Sequence, residues 1–188
     1  MPLRQDLHLR LAARALRAGG IVACPTEAVW GLSCDPFDAE AVHALLALKQ
    51  RPVHKGLILV ADRAERFDAL LAGIEPRRRA LLAESWPGPA TWLLPHHGLF
   101  PAWVTGDSDR IALRVTAHPL LAALCTAFDG PLVSTSANLA GHPPARTALR
   151  VRAQLREGIA ALVPGELGGQ AKPTVIRDLL TGAVVRPA

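Results

Sequence analysis

Three short stretches of this sequence carry side chains whose types and spacing suit chemistry on anions. The first is Lys49-Gln50-Arg51 with Lys55 close behind, three cations within seven residues. The chain holds eighteen arginines and only three lysines, and two of those lysines are here. Where a sequence so generally uses Arg, an ammonium points to a compact charge directed at a phosphate. A solvated helix C-terminus, where the helix dipole favours cations, accounts for the same pattern without a ligand. The second is Arg114, within Arg110–Thr116. Ile111, Leu113 and Val115 alternate there with Arg110, Ala112, Arg114 and Thr116, so the run reads as a strand. An Arg among apolar neighbours needs an acidic partner if buried. Either a structural ion pair or exposed edge explains it, or a ligand carboxylate supplies the charge. The third is Ser134-Thr135-Ser136-Ala137-Asn138, which ends on the only asparagine of the chain. It follows the short apolar run Leu132-Val133, so donors and acceptors gather at a strand's carboxyl end. Ligands sit there in open α/β sheets, although Ser and Asn also favour ordinary turns.

The elements that must position these groups are organised around residues 19–60. Gly19-Gly20 marks a turn, and Ile21–Cys24 reads as a buried strand. Pro25-Thr26-Glu27 then stops it, leaving a hydroxyl and a carboxylate at its end. A helix follows, capped by Asp38, with Ala41, Leu45 and Leu48 at core spacing. It stops before Pro52, so Lys49 and Arg51 leave its last turn together, and Leu57–Val60 is the next buried strand. Upstream, Asp6–Ala18 is an amphipathic helix ended by Gly19-Gly20. Downstream, helices are expected over 63–71, from Pro76 to about Ser85, over 118–128 and over 147–158. Strands are expected over 91–95, 110–116, 161–164, 173–178 and 182–186, with 98–108 as loop. Several strands follow one another as in a meander, so a mixed sheet is favoured over a fully parallel one. Residues 7–188 read as a single domain, with 1–6 as a short lead-in.

Bulk properties narrow the field. At 188 residues, 50% hydrophobic and 20% charged, the chain is of a globular class and long enough to bury a core. No apolar run approaches a membrane span, and no apolar signal core follows Met1, so a cytoplasmic protein is expected. Three cysteines without Cys-x-x-Cys spacing support neither a disulfide framework nor a thiolate zinc site. His96-His97 lacks a third ligand at usable spacing and reads as a surface turn. A net charge of +5 and a pI near 9.9 suit a phosphate-rich partner, nucleotide or RNA. Arg77–Arg79 and the Arg146, Arg150, Arg152, Arg156 series are compatible with solvated helix faces. With no Tyr and no aromatic-rich strand, a base-stacking platform is not indicated. Neither a P-loop nor a Gly-x-Gly-x-x-Gly, His-Glu-x-x-His or Gly-x-Ser-x-Gly motif is present.

Taken together, Pro25-Thr26-Glu27, Lys49-Gln50-Arg51-Pro52 with Lys55-Gly56, Ala112–Val115, Ser134–Asn138 and Val163-Pro164-Gly165 resemble the YrdC-type family. The likeness runs from about Leu7 to Ala188 in order, and the pairing of Lys-x-Arg with Ser-x-Asn is its signature. It implies an α/β fold, a twisted open mixed sheet flanked by helices with a concave, positively charged cavity. It implies joining L-threonine, bicarbonate or CO2, and ATP into threonylcarbamoyl-AMP and pyrophosphate, with Mg2+ carried on the ATP phosphates and no protein metal site. Other proteins then pass the threonylcarbamoyl group to the adenosine beside the anticodon in tRNA.

Carried over by residue, the resemblance puts Lys49 and Arg51 on the ATP phosphates as the catalytic pair, with Ser136 and Asn138 on the nucleotide side. Thr26, Arg114 and Ser134 frame threonine, and Arg114 pairs its carboxylate. Thr174, on the threonine side, and Arg186, on the ATP side, match later positions at the cavity edge; Lys55 is a further anion contact. Trp30 stands where Tyr or Phe is common. The chemistry of such a transfer needs positioning and charge stabilisation but no protein nucleophile. Lys49→Ala is expected to abolish adenylate formation and leave the fold intact. Two other readings compete: a carbamoyl-adenylate-forming module that uses carbamoyl phosphate, and a non-catalytic RNA-binding or ribosome-associated module.

Overall fold

Amphipathic spacing in the first residues produces helix α1 (Pro2–Arg17), which begins at Pro2, so the expected lead-in is helical as far as it is described. The computed structural model describes residues 2–187. Met1 and Ala188, the outer ends of the expected lead-in and domain, lie outside the described residues. Strand β1 (Val22–Pro25) turns directly into β2 (Trp30–Ser33), antiparallel to it. The expected passage from β1 to a helix by a polar turn alone is therefore corrected: Thr26–Val29 is a hairpin turn. Helix α2 (Ala39–Lys49) is capped by Asp38, whose carboxylate accepts from the Ala41 N–H at 3.1 Å.

Strand β3 (Ile58–Ala61) follows a turn of 3-10 helix. The expected helix over 63–71 splits into a 3-10 turn and the short α3 (Asp68–Leu71). Then come α4 (Pro76–Ser85) and β4 (Ala90–Pro95). The expected loop over 98–108 contains one helical turn, α5 (Ala102–Thr105). Strand β5 (Arg110–Val115), α6 (Pro119–Phe128) and β6 (Leu132–Ser136) complete the central part. Helix α7 (Ala148–Leu155), β7 (Ala161–Leu162), β8 (Val175–Asp178) and β9 (Val184–Arg186) follow.

All nine described strands join one sheet in the order β7-β1-β2-β6-β3-β5-β4-β8-β9. The pairs β1/β7, β3/β5 and β4/β8 are parallel and the remaining pairs antiparallel, so the mixed sheet is as expected. Alternation along the strands divides the core in two. Leu32, Leu59, Ile111, Leu113 and Val133 pack under α2, α4, α5 and α7. Val22, Cys24, Val60 and Leu132 meet Leu16 of α1 and Leu120, Leu121 and Leu124 of α6 on the other face.

That second face supplies the site. Val60 pairs in register with Arg114 on one side and Leu132 on the other. Two residues further along the same face, Ile58 pairs with Ser134. The apolar contact with α6 thus gives way to polar side chains along the strands.

Candidate active site

Ile58, Ser134 and Ser136 are part of the wall of a cavity of about 300 Å3. Thr26 and Gly31 reach it from the β1–β2 hairpin, Arg51 from the segment after α2, Arg114 from β5, and Thr174 and Arg186 from the β8–β9 end. Seven of the residues singled out in the sequence therefore meet in one place. Among the described wall residues there are three arginines and no Asp or Glu. Gly31 is required by the closeness of the hairpin: a Cβ there would lie 2.9 Å from the Thr26 methyl. A larger hollow of about 660 Å3 lies beneath α4, against Leu82, Trp86 and Val115, and gathers none of the predicted site residues.

The Lys-x-Arg pair divides at the end of α2. Gln50 adopts the left-handed conformation (φ 52°), and the Arg51 N–H closes back on the Leu46 carbonyl at 2.9 Å. This reversal sends the two cations apart. Lys49, only 5% exposed, donates from Nζ to the carbonyls of Ser136 and of Asn138, the latter at 2.9 Å. Arg51 alone reaches the cavity wall, its Nη2 donating to the Gly56 carbonyl at 2.8 Å. The expectation that both cations open onto one phosphate site is corrected to that extent: a buried ammonium takes the nearest carbonyls. Lys49 stands behind the wall, and its pKa is lowered to about 8 by burial and then by Arg51.

Asn138 is likewise engaged within the chain. Its amide donates to the carbonyls of Leu139 and His142 at 2.8 Å each and accepts from the Ser136 hydroxyl at 2.6 Å. It shapes the turn that carries Ser136 and is not itself on the wall. Lys55 is exposed and off the wall; its contribution is a carbonyl that accepts from Arg51 at 3.3 Å. The hydroxyl cluster also begins earlier than expected, because Ser134, Thr135 and Ser136 belong to β6 itself.

Arg114 has the acidic partner that its burial demands. Its Nη1 donates to Glu27 Oε2 at 3.1 Å, and both residues are 5% exposed. Its Nη2 lies 3.4 Å from the Ser134 hydroxyl, and Nε has no acceptor. The ion pair and the place on the cavity wall are both present, so the two readings of Arg114 are compatible. In the sequence Glu27 stands out only as part of the turn motif, not of the site. The signal that could have found it was the demand of a buried strand arginine for a carboxylate.

Thr26 donates its hydroxyl to the Val29 carbonyl at 2.8 Å, locking the hairpin turn. Thr174 shares a hydrogen bond with Thr91 at 3.2 Å, and its carbonyl accepts from Arg186 at 3.0 Å. Burial, followed by the neighbouring Arg114 and Arg51, lowers the Arg186 pKa. Burial also lowers those of Arg51 and Arg114. For Arg51 and Arg114 these shifts record the cost of burying charge, and for Arg186 also that of its positive neighbours, rather than loss of the charges. An incoming anion relieves that cost.

A family profile for Sua5, YciO and YrdC, described as telomere recombination, matches residues 14–188. The chain belongs to the Sua5/YciO/YrdC family. Among the similar members of this family is a threonylcarbamoyl-AMP synthase of Stutzerimonas stutzeri, 56% identical over 97% of this chain and 98% of its own length. One of Pseudomonas aeruginosa is 54% identical over 97% and 98%. A solved structure of P. abyssi Sua5 in complex with L-threonine superposes with a TM-score of 0.88 at 30% identity, over 95% of this chain and 53% of that one. E. coli YciO superposes with a TM-score of 0.84 at 26% identity, over 97% and 89%. The fold of the Sua5/YciO/YrdC family and the expected α/β architecture agree.

Proposed function

We propose that this protein is an L-threonylcarbamoyladenylate synthase, a nucleotidyltransferase joining L-threonine, bicarbonate or CO2, and ATP into threonylcarbamoyl-AMP and pyrophosphate. One observation carries the reading: three guanidinium groups, from Arg51, Arg114 and Arg186, meet strand-borne hydroxyls around a single cavity. The identity of 56% to a synthase along nearly its whole length supports it.

In this reading Arg114 pairs the threonine carboxylate, with Thr26, Ser134 and Thr174 beside it. Arg51 and Arg186 face the phosphates, and Ser136 lies on the nucleotide side. Lys49 and Asn138 act there chiefly by shaping the turn that presents Ser136, and the ammonium adds positive potential from behind the wall. Lys55 is left as an outer anion contact. The carbamate of threonine attacks the α-phosphorus of ATP, the bond to the departing pyrophosphate breaks, and the cations stabilise charge growing on the phosphoryl oxygens. Holding the two reactants together supplies much of the remaining acceleration. Magnesium enters as the ATP complex. The described wall offers it no carboxylate, and among the described residues no three His, Cys, Asp or Glu side chains gather into a metal-holding group.

The product serves proteins that transfer the threonylcarbamoyl group to tRNA in the cytoplasm. Among the described residues no helix is long and apolar enough to cross a membrane. Residues 7–188 act as one domain in this reading, because every described strand belongs to one sheet.

The test is exchange of labelled pyrophosphate into ATP with threonine, serine and carbamoyl phosphate compared side by side, with and without bicarbonate. Exchange that requires threonine and bicarbonate is expected. Dependence on carbamoyl phosphate instead, or RNA binding with no exchange, would overturn the reading.

A further inference from the structure

Glu27 sits in the turn between β1 and β2, yet its carboxylate reaches β5 on the other side of β6 and β3 in the sheet order. Oε2 accepts from Arg114 Nη1 at 3.1 Å, and Oε1 accepts from the Thr116 hydroxyl at 2.6 Å. The Thr116 oxygen in turn accepts from the His118 N–H at 3.1 Å, which leaves its own proton for Glu27. The turn is gripped from behind as well. The Gly168 N–H donates to the Thr26 carbonyl at 3.0 Å and the Gln170 N–H to the Glu27 carbonyl at 2.9 Å. A Cβ at Gly168 would lie 2.9 Å from Glu27 Cα, so a larger residue would displace the turn.

Arg114, by contrast, is held on one side only. An arginine–carboxylate pair that used both prongs would leave little for a second anion. Here Glu27 takes Nη1, Nη2 has a long contact of 3.4 Å to Ser134, and Nε has no acceptor. Arg51 and Arg186 are steadied by other groups, the Gly56 and Thr174 carbonyls. Glu27 therefore bears on one of the three wall arginines.

We propose that Glu27 is a positioning residue for amino-acid binding. It fixes Arg114 through Nη1, with Thr116 fixing the carboxylate, and so keeps the rest of the guanidinium for a ligand carboxylate. This inference rests on the reading of Arg114 as the partner of the threonine carboxylate. It extends that reading to a residue that touches neither substrate and acts on the amino acid, not on the nucleotide.

The experiment measures threonine and ATP binding by calorimetry and threonine-dependent turnover in the full chain, for wild type, Glu27→Gln, Thr116→Val and Thr116→Ser. Because a misplaced positioning group costs up to about a hundredfold, Glu27→Gln should lower kcat/KM for threonine about tenfold or more with ATP Kd within about twofold. Thr116→Val should shift threonine in the same direction by a smaller factor, and Thr116→Ser, which keeps the hydroxyl, should restore the wild-type requirement. If Glu27→Gln does not fold, Thr116→Val decides, since it leaves the ion pair in place. Threonine parameters unchanged, or threonine and ATP weakened alike, overturn the inference alone. A wild-type protein that binds no threonine overturns the functional reading and the inference together.

Discussion

The Lys49 ammonium and the Asn138 carbonyl lie 2.9 Å apart, and the same ammonium also bonds the Ser136 carbonyl. The end of α2 and the turn after β6 are thereby joined at a point buried beneath the cavity wall. The expectation that Lys49→Ala leaves the fold intact no longer holds. Lys49→Met should lower stability by about 1 to 3 kcal/mol, the usual cost of orphaned buried acceptors. It should also displace Ser136 and abolish turnover. Denaturant melts and exchange assays on the same sample check both outcomes.

Lys49 also ties stability to pH, with a sign that follows from linkage. Its folded pKa is lowered to about 8 while the unfolded chain keeps the ordinary 10.5. Between those values the unfolded state binds more protons, so this contribution to stability increases with pH. It is fully present above the unfolded value and lost as pH falls through about 8. Nucleotide affinity should move the opposite way, weakening as the ammonium neutralises. Comparing wild type with Lys49→Met from pH 7 to pH 10, by melting and by ATP calorimetry, isolates both effects; parallel curves for the two proteins would remove Lys49 as their source.

Arg114→Ala should raise the threonine requirement far more than the ATP requirement. It also strands Glu27, 5% exposed, without its partner. Breaking a buried pair costs about 3 to 5 kcal/mol, so a clear drop in melting temperature accompanies the kinetic defect. Steady-state kinetics varied in each substrate, with melts, separate the two consequences.

Arg186→Gln should behave differently. The residue is on an exposed strand, and its charge is disfavoured first by burial at the cavity and then by Arg114 and Arg51. Stability should stay within about 0.5 kcal/mol of wild type, as for most surface changes. ATP binding should weaken, which calorimetry reads directly.

The three cysteines offer a control on folding. Cys24, Cys34 and Cys125 are buried, and burial raises all three thiols, Cys125 to about 12. Thiolate is the reactive form, so alkylation at pH 8 should follow global unfolding and not precede it. Mass spectrometry against time in rising denaturant reports this.

Much of this arrangement is readable from residue order. Hydrophobic alternation around Arg114 and the helical spacing before Lys49 gave the elements, but β5 is buried on both faces and α2 buries Val42, Leu46 and Lys49 more fully than Leu48. Strand β2 escaped because its four residues are all buried and include Gly31, so no period-two pattern marks it. Helix α5 is a single turn, too short to show helical spacing. The direction of Lys49 could not be read either. Spacing gives the face of a helix, but the left-handed Gln50 that parts Lys49 from Arg51 is set by how the turn meets β6. Glu27 and Arg114 are 87 positions apart, and only the folded sheet brings them together.

Strand β9 has a neighbour on one side only among the described strands, β8, and all three of its residues are exposed. One wall cation thus rides on an exposed edge strand, while Arg114 is anchored in the interior. Lifting of that edge would carry Arg186 off the wall and leave Arg114 in place.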